Sequence, residues 1–129
     1  LQYLFIAVGG AAGAALRYLV SGWAYALLGT GFPWGTLVVN LIGSFLIGFL
    51  WELFANAAVS PNMRHLIFTG GLGAFTTFST FALESINLFR DGEIGLGMAN
   101  VLVSDFLGIV LVFVGIVAGR LVGSLVRYQ

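Results

Sequence analysis

Four apolar runs, each long enough to cross a bilayer, leave this chain little choice of fold. A hydrocarbon core of roughly 30 Å takes about 20 residues per helical crossing. The runs cover residues 3–28, 35–58, 63–89 and 97–126, which accounts for most of the 129 residues and leaves no room for a separate soluble domain. The chain is therefore read as one four-span domain over 1–129, all-α and transmembrane. Charge supports this: only 8% of the residues are charged, against about 25% in an average soluble protein, too few to cover a wet surface.

Helix breakers punctuate the runs. Gly29-Thr30-Gly31-Phe32-Pro33 closes the first with turn chemistry. Ser60-Pro61-Asn62 follows the second, where Pro61 limits further helix. Arg90-Asp91-Gly92-Glu93 is the most polar loop, and Arg127-Tyr128-Gln129 is expected at an interface. The first run is too long for a signal peptide and shows no positive region before it, so it is expected to be retained as a span.

Whole classes of chemistry are closed by what is scarce. Without cysteine there is neither disulfide nor thiolate, and a single histidine, His65, rules out His-cluster metal sites and His-paired nucleophiles. No acid–base or nucleophile–base constellation is visible, so no enzyme is expected. The five basic residues, Arg17, Arg64, Arg90, Arg120 and Arg127, are dispersed and offset by five acidic ones. No basic patch points to nucleic acid.

Charge also bears on orientation. Four spans place both termini and the loop with Arg64 on one side and the loop with Arg90 on the other. Arg64 and Arg127 against Arg90 is a weak bias under the positive-inside rule, and Arg17 and Arg120 fall inside spans. So weak a bias permits insertion in both orientations and hence antiparallel dimers.

Small residues four apart form stripes: Gly9 and Gly13, Ser44 and Gly48, and Gly115, Gly119 and Gly123. Such stripes let helix backbones approach closely where lipid removes any hydrophobic drive between helices.

The third run carries the most information. Thr69-Gly70-Gly71-Leu72-Gly73-Ala74-Phe75-Thr76-Thr77-Phe78-Ser79-Thr80-Phe81 is poor helix in mid-membrane. A helix break is expected here. Freed backbone groups at that depth must be buried in protein or line a wet cavity, and in transporters such broken helices mark ion sites. The alternative is a kinked helix whose hydroxyls bond back to the preceding turn.

Phe78 and Phe81, three apart, share a helix face beside Ser79 and Thr80. Ring edges are positive, which lets Phe face an anion without a formal charge, although on its own such a pair more often serves packing than a pore. Asn40, about one and a half turns inside the second span, is either glue between helices or a donor to a ligand. Arg17 sits near Tyr18, Trp23 and Tyr25, an apparent aromatic belt to which it is expected to snorkel; lining an anion-collecting vestibule is the alternative. Glu84 and Asp105 are intramembrane by count, each either solvated, paired with an arginine or protonated.

Taken together, the stretch Gly13-Ala14-Ala15-Leu16-Arg17-Tyr18, the stretch Trp34-Gly35-Thr36-Leu37-Val38-Val39-Asn40 and the hexapeptide Thr76-Thr77-Phe78-Ser79-Thr80-Phe81 resemble the Fluc/CrcB family of small fluoride channels over the whole chain. Ala74 and Phe75 stand where glycine and leucine are usual in that family, and both are apolar.

The resemblance implies an antiparallel, dual-topology homodimer in the cell membrane, with two fluoride pores that release toxic fluoride passively. It implies that Phe78 and Phe81 line the path with ring edges, that Asn40 donates a hydrogen bond there, and that Ser79 and Thr80 supply hydroxyls. Arg17 belongs to a vestibule in this scheme. The backbone carbonyls of Gly73 and Thr76, from both subunits, hold a structural Na⁺. Asn100 and Ser104 are candidates for a polar wall from the fourth span.

The chemistry is consistent with that scheme, because a strongly hydrated anion needs compact donors that hold it weakly at several points, whereas fixed cations in the path would trap it. A rival four-span class, the small dual-topology, proton-coupled exporters of cationic compounds, relies on an acidic residue in the first span. This first span has none.

Overall fold

The computed structural model describes residues 1–127; Tyr128 and Gln129 lie outside the described residues. Every described element is helical: α1 (Gln2–Leu28), α2 (Trp34–Ala55), α3 (Pro61–Arg64), a π-helical segment π1 (His65–Leu72), α4 (Gly73–Phe75), α5 (Phe78–Arg90) and α6 (Ile94–Arg127). The pieces from Pro61 to Arg90 make one interrupted crossing, so four stretches are long and apolar enough to span a membrane. This is a multi-pass membrane protein.

Local chemistry accounts for the ends. Gly29 and Gly92 take positive φ, 87° and 80°, which glycine adopts without a Cβ clash, and these two residues turn the chain after α1 and after α5. Pro61 acts differently from expectation. The second helix has already stopped at Ala55, and Pro61 instead opens α3 as its first residue, capped by the Ser60 hydroxyl, which accepts from the Met63 N–H at 3.3 Å. A proline is well tolerated at that position because its missing N–H would find no helical partner anyway.

Packing runs in two strips. α2 lies along α6, and α1 lies along π1 and α4, with α5 set against α6. The glycine stripes are the means. A Cβ on Gly9 would strike the Leu66 carbonyl oxygen and one on Gly13 that of Gly71; likewise Gly48 abuts Val112, and Gly115 abuts Phe45. Expected close packing is thus realised inside the protomer at these positions. Gly123 has nothing within 4 Å of such a Cβ and takes no part.

The glycine run of the third span does not itself unwind. Gly70 and Gly71 stay helical, in the wider π form, because α1 lies directly against them: a Cβ on Gly70 would meet the Ile6 carbonyl oxygen and lie 2.9 Å from the Gly10 nitrogen. Backbone cannot give way as a flexible side chain can. Gly70→Ala is therefore expected to destabilise the fold by about 1–3 kcal/mol, readable as a lowered midpoint in detergent unfolding; an unchanged midpoint would mean α1 does not pack there.

Candidate functional site

The break lies one turn beyond the glycines. Thr76 (φ −85°, ψ 158°) and Thr77 (φ −150°, ψ 113°) are extended, between α4 and α5. Two extended peptides in mid-span need partners. Asn40 on α2 supplies them for Thr77: its Nδ2 donates to the Thr77 carbonyl at 3.0 Å, and its Oδ1 accepts from the Thr77 N–H at 2.8 Å. The Asn40 side-chain carbonyl thus substitutes for the helical acceptor that the Thr77 N–H has lost, while the amide nitrogen adds a second donor to a carbonyl that opens α5. Thr77 then caps α5, its Oγ1 accepting from the Thr80 N–H at 3.3 Å and donating to Thr80 Oγ1 at 3.0 Å. The kinked-helix alternative has a trace here too, since the Thr76 hydroxyl donates back to the Leu72 carbonyl at 3.0 Å.

Two carbonyls are released by this arrangement. In a continuous helix the Gly73 carbonyl would accept from Thr77 and the Thr76 carbonyl from Thr80. Both donors are engaged elsewhere, by Asn40 and by the Thr77 hydroxyl. Partially negative oxygens free of their helical donors are suitable ligands for a hard cation. On the other side of the break stands the N-terminus of α5, whose unpaired N–H groups and dipole favour negative charge.

Cavities open on both sides of Thr77. A groove of about 290 Å³ takes in Asn40, Gly43, Gly73, Thr76, Thr77 and Phe78. A second cavity, of about 350 Å³, is lined by Arg17, Tyr25, Thr36, Thr77, Thr80 and Glu84. Arg17 thus borders a cavity. Trp23 is exposed, as is Tyr18, which also borders this cavity, but Tyr25 turns inward, its hydroxyl donating to Glu84 Oε1 at 3.4 Å. It is therefore not part of the belt expected from the sequence. Thr36 donates to the same oxygen at 2.9 Å, and Glu84 Oε2 is buried without a partner. Glu84 is held by hydroxyls, not by an arginine. Asp105 is exposed on α6.

The phenylalanines adjoin one another with ring centroids 5.6 Å apart and planes tilted by 52°. Phe81 is 8% exposed, whereas Phe78 is 76% exposed on this single chain. Of the two, only Phe78 borders the groove. Thr80 borders the Arg17 cavity, while Ser79 is exposed and borders neither. Behind Phe81, Ser85 donates to the Phe81 carbonyl at 2.8 Å and accepts from Asn100 Nδ2 at 2.9 Å, and Ser104 donates to Asn100 Oδ1 at 3.4 Å. Asn100 is 1% exposed. In this chain it serves as a brace that ties α6 to α5.

Four participants were not legible as such. Thr77, Thr36, Tyr25 and Ser85 each lie in runs the sequence marks, but the partner that gives each its role is set by the packing of a different span, except for the local Thr77 cap. A hydroxyl directly before Phe-Ser-Thr, three residues ahead of Thr80, is a cap signal that could have identified Thr77.

The family model described as "CrcB-like protein, Camphor Resistance (CrcB)" matches residues 4–116. Among curated relatives, the fluoride-specific ion channel FluC of Magnetococcus marinus is 48% identical over 123 residues, covering 95% of this chain and all of that protein. The protein of the same name from Salinibacter ruber is 53% identical over 115 residues, 89% of this chain and 86% of that one. That of Thermus thermophilus is 45% identical over 123 residues, 95% and 97% of the two chains.

Proposed function

Since this chain belongs to the CrcB family, we propose that it is a fluoride-selective passive channel of the cell membrane, not an enzyme, that lets toxic fluoride leave the cell. The observation that carries the reading is the break at Thr77, clamped by Asn40 and flanked by two cavities. An anion crossing there meets the α5 N-terminus, amide and hydroxyl hydrogens and the edge of Phe78. None is a fixed charge, so each holds fluoride weakly enough to release it. Arg17 concentrates anions in its cavity without standing at the break.

The working unit in this reading is an antiparallel, dual-topology homodimer with two pores. The exposed ring of Phe78 and the open groove beside it are the faces a second copy would cover, and Phe78 and Phe81 then line the path together. The carbonyls of Gly73 and Thr76 released at the break would hold a structural Na⁺ between the two protomers. When bound, the ion supplies positive charge that holds those oxygens in place. Ser79, exposed on one chain, contributes its hydroxyl only in the dimer.

Purified protein reconstituted in liposomes should release F⁻ under a gradient while Cl⁻ is retained. Efflux equal to that of protein-free liposomes would refute the channel, and proton-coupled uptake of cations would point to the exporter class.

A further inference from the structure

At the opposite end of α2 from Pro33, the two long helices part. Gly119 still touches α2, where a Cβ would lie 2.7 Å from the Phe49 carbonyl oxygen, but one turn later Gly123 meets nothing. α2 stops at Ala55, level with about Gly123 given that Glu52 meets Gly119 and Arg120, so the last turn of α6 runs on alone for about 6 Å. With 34 residues, α6 measures about 51 Å at 1.5 Å per residue, well beyond a hydrocarbon core of roughly 30 Å. Its free end therefore stands at headgroup level.

Between that end and the end of α2 lies a cavity of about 400 Å³ lined by Glu52, Asn56, Arg120, Gly123, Ser124 and Arg127. Arg120, Ser124 and Arg127 follow one another at helical spacing on one face. Glu52 accepts from Arg120 Nε at 2.9 Å, which aims the guanidinium and leaves its terminal N–H groups available. Arg127 makes no hydrogen bond among the described residues. Two arginines against one glutamate leave the slot with net positive charge. Beside it α6 presents bare apolar side chains, with Leu121 62% and Leu125 68% exposed.

We infer that this slot binds the phosphate of an anionic phospholipid, with Arg120 and Arg127 on the phosphate and the acyl chains along Leu121 and Leu125. A phosphate ester matches the forked donors of arginine, and cationic side chains at this level attract anionic lipid. The apolar face selects a lipid over free phosphate, which has nothing to place there. None of these residues borders the break, so the inference stands independently of the proposed ion flux.

The test is native mass spectrometry of the full chain purified from mixed phosphatidylglycerol and phosphatidylcholine. Wild type should retain phosphatidylglycerol preferentially, and R127Q should retain roughly five-fold less, with R120Q/R127Q lower still. Millimolar inorganic phosphate should not displace the lipid. Equal retention of the two lipids, or undiminished retention by R127Q, overturns the inference; displacement by phosphate assigns the slot to the free ion instead. Because Arg120 has a structural partner and Arg127 has none among the described residues, R127Q carries the result if the double variant does not fold, and its elution as wild type is the check.

Discussion

Asn40→Asp is expected to lower fluoride efflux from liposomes by about 100-fold or more. The carboxylate keeps an acceptor for the Thr77 N–H but loses the Nδ2 donor that now meets the Thr77 carbonyl at 3.0 Å. Two oxygens would then face each other across the break, at a cost of about 1–3 kcal/mol for the lost bond. The larger effect is on the ion. A negative charge about 4 Å from a passing anion repels it by about 4 kcal/mol at an effective dielectric of 20, and each 1.4 kcal/mol is a factor of ten in rate. Asn40→Leu separates the two effects, since it removes the clamp without adding charge, and its loss should be smaller. Wild-type efflux from properly dimeric Asn40→Asp protein would take Asn40 out of the path.

The second large effect is expected at Phe81. Ile fills much of the same space, so Phe81→Ile should leave folding and assembly near normal, but it has no ring edge to offer an anion. With an edge-to-face aromatic pair, about 0.5–1.5 kcal/mol, as the scale for a ring-edge contact, the loss of efflux is up to roughly ten-fold. The ring is 8% exposed and packs on that of Phe78, so a purely structural role is the competing account. The two differ in readout. A structural role lowers the unfolding midpoint in proportion to the lost flux, whereas a role in the path lowers flux at an unchanged midpoint. Unchanged flux would leave Phe81 as packing alone.

Much of this molecule was legible before any coordinates. Four spans, their approximate ends and an interruption in the third follow from hydropathy and local backbone preferences, which depend only on neighbours along the chain. Even so, the interruption fell at Thr76 and Thr77 and not at Gly70 and Gly71. Composition alone favours the glycines, but α1 packs against them as helix, and the threonines have both a capping hydroxyl and an outside partner in Asn40.

Asn40 shows the limit best. Its sequence neighbourhood left it open between glue and ligand donor, and the structure has it bonded to both polar groups of Thr77, 37 residues away. Arg120 similarly could not be assigned to either side from its place in the fourth run. It pairs with Glu52 across 68 residues, which draws it to the end where α2 stops.

By itself, then, the sequence determined that this protein lies in a membrane, crosses it four times, and has an uncharged polar segment at mid-depth. Burial in lipid enforces those features residue by residue, because every unpaired backbone group or charge there is costly. Which amide clamps the break, which carbonyls it releases, and which side of α1 turns Arg17 and Tyr25 toward a cavity were decided only by tertiary structure. Those outcomes depend on how helices distant in sequence are rotated against one another, and that rotation is set by where glycines let two backbones touch.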